Sequence, residues 1–145
     1  MGQFSGPFRA EKILVKEKGW FGRTKTRHYW KVLEPFSYTT NDGKSVHVPQ
    51  DFVTDLASVP RGLWNICPKD DVDSAASVVH DIAYRDRLYP QRDCDRIYLE
   101  AMRDCGQTLA KRRMKYRALR LFGWYSYNKN PKPGPKELLN VSNLS

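Results

Sequence analysis

SVVHDIAYRDRLYPQRDCDRIYLEAM, residues Ser77 to Met102, is the stretch that decides what kind of fold this chain adopts. Its apolar residues follow a helical period: Val79, Ile82 and Ala83 continue a stripe begun by Val72, Ala75 and Ala76, with Asp71 or Asp73 available as a cap. That helix should end near Arg87, before Leu88-Tyr89-Pro90-Gln91. A second should run from about Asp93 to Cys105, with Cys94, Ile97, Tyr98, Ala101, Met102 and Cys105 on one face and Gly106 as the stop. A connection this short makes the two helices antiparallel neighbours.

Within that apolar frame sit four polar residues that need a reason to be there. His80 and Tyr84 are one helical turn apart and share a face, while Asp81 points about 100° around the axis. Asp95, near the start of the returning helix, can stand opposite the imidazole. A carboxylate on one ring nitrogen fixes the tautomer and leaves the other nitrogen to accept a proton from water, which is a general-base dyad. Asp81 is then available to a hard cation. The plainer alternative is a hydrogen-bonded core histidine beside an acid paired with Arg85, four residues on.

Working outward, the front of the chain is β-rich. Residues 11–17 (EKILVKE) and 23–36 (RTKTRHYWKVLEPF) read as strands about the turn Lys18-Gly19-Trp20-Phe21-Gly22. Alternation through Phe36, Tyr38 and Thr40 meets alternation through Val46 and Val48 across Asn41-Asp42-Gly43, which signals a hairpin. A short strand and then a loop follow in 50–68. A third helix spans about Thr108 to Phe122, with Leu109, Ala110, Met114, Ala118, Leu121 and Phe122 as its apolar side. Lys111, Arg112, Arg113, Lys115, Arg117 and Arg120 fall mostly outside. The expected fold is α+β: N-terminal antiparallel β-hairpins packed on three C-terminal helices. Residues 1–128 form one domain, and residues 129–145 an extended, proline-rich basic tail.

Composition narrows the function classes. A chain of 145 residues with 40% hydrophobic and 12% aromatic content can bury a core without staples. No run approaches a membrane span, and no leader pattern opens the chain, so synthesis in a cytoplasm is expected. Cys67, Cys94 and Cys105 are an odd number at no metal-binding spacing and read as buried thiols. The net charge of +9 is concentrated at the back, where residues 107–145 carry nine Lys or Arg against Glu137. With Tyr116 and Trp124 to Tyr127 interleaved, that third suits an anionic partner: lipid headgroups, nucleic acid or an acidic protein face.

Two resemblances follow from these residues. H-D-x-x-Y on one helix, followed by D-R-x-x-x-x-x-M on the next, resembles the core of the secreted phospholipase A2 superfamily, particularly its short bacterial and fungal members. The resemblance implies His80 as general base, Asp95 as its orienter, Asp81 as a calcium ligand, and Tyr84 beside them. It implies an antiparallel helix pair of phospholipase A2 type. The flanking cysteines of animal enzymes are replaced by Val79 and Ala83, and no glycine-rich calcium loop precedes His80. The remaining metal oxygens would then come from Thr54-Asp55-Leu56-Ala57-Ser58-Val59-Pro60-Arg61, with Asp55 at the cation and Ser58 and Arg61, like Tyr84, toward substrate. Ordinary turn chemistry accounts for the same residues.

The succession F-x-T-D-L-A-S-V-P-R (Phe52 to Arg61), A-A-x-V-V-H-D-x-x-Y, D-R-I-Y-L-E-A-M and a closing F-G-W is similar to a phage and prophage family described as domain of unknown function 1353. The likeness covers about Tyr38 to Tyr125. It implies a phage origin, with synthesis in the host cytoplasm and association with the virion. The expected function is a phage-encoded, metal-dependent hydrolase, a phospholipase A2-like esterase acting on the host envelope with a divalent cation, Ca²⁺ first. Two further readings stand beside it: a structural or accessory virion protein that docks on other virion proteins through its tail, and a nucleic-acid-binding factor.

Overall fold

The computed structural model describes residues 2–54 and 73–128. Along the chain come β1 (Gln3–Phe4), β2 (Ala10–Lys18), β3 (Thr24–Val32), β4 (Phe36–Thr39), β5 (Ser45–Val48) and β6 (Val53–Thr54). Then follow α1 (Ser74–Arg85), α2 (Gln91–Asp104) and α3 (Leu109–Asn128). The architecture is α+β, with two three-stranded antiparallel sheets, β1-β4-β5 and β2-β3-β6, and three helices.

The β4–β5 hairpin forms where alternation met a turn sequence. Phe36 pairs with Val48 and Tyr38 with Val46, so all four fall on one face, and all four are buried. The opposite face carries Ser37 against His47 and Thr39 against Ser45, each pair hydrogen-bonded through its side chains at 2.9 Å. Gly43, at φ +88°, supplies the left-handed residue that the turn requires. The apolar face meets α1, α2 and Leu119 of α3 in one cluster that includes Val79, Ile82, Ile97 and Met102. Polar ties fix the sheet in place: Tyr38 donates to Asp104 at 2.7 Å, and the Asn41 amide donates to Glu100 at 2.7 Å.

The second sheet is a long hairpin clipped at one end. β6 pairs only with Trp30 and Lys31 of β3. A smaller cluster of Val15, Tyr29 and Val53 lies beneath it.

The helix pair runs antiparallel, because Ser77 meets Tyr98, His80 meets Asp95, and Ala83 meets Cys94. α1 is the central element, with Ala75, Ala76, Val78, Val79, His80, Ile82, Ala83 and Tyr84 all buried. Both helices end alike. The Leu88 amide bonds the Ala83 carbonyl after Arg87 at φ +48°, and the Gln107 amide bonds the Met102 carbonyl after Gly106 at φ +84°. Gly106 is thus the expected stop.

α3 departs from expectation. It extends to Asn128, and its buried residues are Lys115, Leu119 and Gly123, one row at four-residue spacing. Of the residues expected to be its apolar side, Met114 and Ala118 are half-buried, while Leu109, Ala110, Leu121 and Phe122 are exposed, as are Trp124 and Tyr125. The fully buried seam of the helix is Lys115, Leu119 and Gly123, flanked by Arg120 and Tyr127, so apolar content did not mark the docked face. Lys115, expected among the outward cations, is buried against Asp73. Asp73 stands at the N-cap position of α1 but makes no side-chain cap bond. The basic tail of 129–145 and Cys67 lie outside the described residues.

Candidate functional site

His80 and Asp95 meet in the interior between α1 and α2. The His80 Nε2 lies 3.2 Å from Asp95 Oδ1, and both side chains are almost wholly buried. The Tyr84 hydroxyl donates to the same carboxylate oxygen, and the Arg120 guanidinium donates to the other at 2.9 Å. His80 is packed between two aromatic rings, with centroids 4.0 Å from Tyr84 and 4.9 Å from Tyr98. This arrangement locks the imidazole in position.

The electrostatics set the proton positions. Burial pushes the Asp95 carboxyl upward, but hydrogen bonds from His80, Tyr84 and Arg120 outweigh it and hold the group below its ordinary value. An ionised carboxylate can only accept. The His80 Nε2 therefore carries the hydrogen, and in the neutral ring Nδ1 carries the lone pair. Nδ1 is buried and has no hydrogen-bond partner among the described residues. Burial, then the bond to Asp95, pushes the Tyr84 hydroxyl well up, so it stays a donor. Burial likewise raises the Cys94 thiol to about 11; with Sγ 3.3 Å from the Tyr89 carbonyl, it is an inert core thiol.

The other expected site residues divide. Asp81 lies on another side of α1, as its spacing predicts, and its carboxylate accepts from the Thr54 hydroxyl of β6. Arg85, its proposed partner in the plainer reading, instead pairs with Asp86 at 2.9 Å and lies over the Phe52 ring at 4.7 Å. Asp55, Ser58 and Arg61 lie outside the described residues. Asp81 thus meets the last residue of β6, Thr54, which is next in sequence to Asp55. No group of three or more His, Cys, Asp or Glu side chains gathers among the described residues.

Two members of the network were not foreseen in these roles. Arg120 was grouped with the outward cations, yet its guanidinium reaches Asp95 from a side chain 39% exposed. Tyr84 was expected toward substrate and instead clamps Asp95. Gly123 explains how α3 comes so close. A Cβ there would lie 2.8 Å from the Tyr84 hydroxyl and 3.2 Å from Gln91 Nε2. The signal in the sequence was the spacing of Lys115, Leu119 and Gly123, which only a docked partner makes meaningful. Gly123→Ala should cost about 1–2 kcal/mol, since overpacking outweighs the gain in helix propensity. Thermal denaturation would register this as a Tm several degrees lower.

The family model "Protein of unknown function (DUF1353)" matches residues 30–119, more than half of the chain. The span holds His80, Asp81, Tyr84 and Asp95 and stops just short of Arg120. Neither the curated proteins nor the solved structures yield a match. Among the described residues, no helix is long and apolar enough to cross a membrane.

Proposed function

We propose a hydrolytic role for this chain, which belongs to the DUF1353 family: a phage-encoded esterase of phospholipase A2 type, acting on lipid of the host envelope. One observation carries the reading. A rigidly held imidazole has one nitrogen on an ionised carboxylate and the other with no hydrogen-bond partner among the described residues. In the reaction, His80 Nδ1 takes a proton from water as the oxygen attacks the ester carbonyl. The imidazolium formed is stabilised by Asp95, and the proton then passes to the leaving alkoxide. Tyr84 and Arg120 keep Asp95 from rotating, so the tautomer does not change between steps. A divalent cation, Ca²⁺ first, held by Asp81 with Asp55, would supply a positive charge for the developing oxyanion. The antiparallel helix pair that presents His80 and Asp95 is what the phospholipase A2 resemblance requires.

The test uses phosphatidylglycerol vesicles with Ca²⁺ and reads fatty-acid release. His80→Ala should reduce release by about 10²–10⁴-fold, the usual contribution of a general base. EDTA should suppress it, and Asp81→Asn should raise the Ca²⁺ concentration needed. No release by the wild type, or equal release by His80→Ala, sinks the reading.

A second reading has its own observation. His80 has no exposed surface, and both Asp95 oxygens are engaged, as in a polar network that fixes one packing of a structural virion protein. In that case His80→Ala lowers stability and leaves no activity to lose, and the chain is recovered in particles in contact with other virion proteins.

A further inference from the structure

The β2–β3 hairpin does more than extend a sheet. β6 pairs with it at Trp30 and Lys31, and burial among the described residues reaches as far as Tyr29 and Val15, so the ribbon from the Val15–Arg27 pair to the Lys18–Thr24 end extends about 10 Å further at roughly 3.3 Å per residue. At its tip, Trp20 is 86% and Phe21 94% exposed, side by side with ring centroids 6.1 Å apart. Phe21 adopts φ +66°, a left-handed conformation costly for an aromatic residue, which occupies the turn closed by the Gly19 amide on the Arg23 carbonyl. Around the aromatics stand Lys16, Lys18, Arg23 and Lys25, all exposed. The carboxylate of this end, Glu17, is taken by Arg27 at 3.0 Å and by the Tyr29 hydroxyl at 2.7 Å.

We propose that this tip is an interfacial anchor for anionic lipid, with Trp20 and Phe21 entering the headgroup boundary and the four flanking cations meeting lipid phosphates. Both rings stand almost wholly in solvent, so among the described residues nothing encloses a small ligand beside them. A ring of positive charge around two adjacent aromatic side chains matches a surface that is negative outside and apolar a few ångströms below. A duplex would meet the charge, but its bases are closed by stacking and must be opened at a cost of a few kcal/mol per step before an indole or a phenyl ring can enter. The tip lies ahead of residue 30, outside the family-matched span. It deepens the hydrolase reading by naming how the chain would reach lipid, and it can fail separately, because binding is measured without turnover.

The full chain is sedimented with vesicles of phosphatidylcholine alone or mixed with phosphatidylglycerol, without Ca²⁺. Partitioning should require phosphatidylglycerol and weaken with salt, and Trp20→Ser/Phe21→Ser should reduce it by at least about tenfold. The double variant should melt as the wild type does, because both side chains are exposed. No binding by the wild type, or equal binding by the double variant, overturns the proposal; the second result moves the contact to α3. Tighter binding to an oligonucleotide than to phosphatidylglycerol, lost in the double variant, reassigns the tip to nucleic acid and also overturns it. His80→Ala that binds but does not hydrolyse supports both readings. Binding with no hydrolysis by the wild type leaves the anchor standing and removes the hydrolase.

Discussion

Asp95→Asn should destabilise the protein by about 2–3 kcal/mol, because a buried carboxylate loses its charge pair with the partly exposed, partly screened Arg120 and leaves His80 and Tyr84 mismatched. The geometry explains why an isostere is not conservative here. Asp95 accepts from His80 and Tyr84 at one oxygen and from Arg120 at the other, so the site is surrounded by donors. An amide brings a donor of its own, and either orientation sets that donor against Arg120 or against the His80 and Tyr84 pair. The pH dependence carries a second signature. The folded carboxyl titrates below its ordinary value of 3.8, so its ionised form stabilises the fold above that value. That stabilisation is lost as pH falls through the lower folded pKa. Denaturant midpoints measured across acidic pH should therefore fall more steeply for the wild type than for Asp95→Asn. If Asp95 orients a general base, the variant also loses turnover at pH values where it remains folded.

The helix pair was legible because two signals agreed: an apolar period of 3.6 and a connection too short for anything but an antiparallel return. From those, His80 opposite Asp95 follows directly. The β4–β5 hairpin was legible for the same reason, alternation meeting a turn containing Gly43. The docking of α3 was not. Its apolar and basic residues are spread around the helix, and the face that packs is chosen by Gly123, which admits Tyr84, and by Lys115, which finds Asp73. Both choices depend on partners more than 35 residues away in sequence. A pattern scored on hydrophobicity places lysine and glycine outside, and here they are the seam. Arg120 was missed as a member of the network for the same reason, since a helix's own sequence does not say which of its cations faces inward.

Lys115 gives the clearest test of that seam. Its Nζ lies 2.9 Å from both oxygens of Asp73, and the two side chains are 3% and 2% exposed. The Tyr98 hydroxyl reaches the same carboxylate at 3.4 Å and lies 3.2 Å from the Ser77 hydroxyl, so the pair joins α3, the start of α1 and the middle of α2. Lys115→Met keeps the volume and removes the charge, stranding Asp73 without its cation in the interior. The expected loss is about 3–5 kcal/mol, the usual cost of breaking a buried ion pair. Replacing both partners, Asp73→Ala with Lys115→Met, removes the stranded charge as well, and most of the stability should return. A double-mutant cycle by chemical denaturation would resolve the coupling. A Lys115→Met variant as stable as the wild type would mean that Leu119, Gly123 and the Arg120–Asp95 pair suffice to dock α3. Recovery in the double variant, with Arg120 still on Asp95, would instead separate the two ion pairs: the buried Asp73 pair sets where α3 sits, and the half-buried Asp95 pair sets how His80 is held.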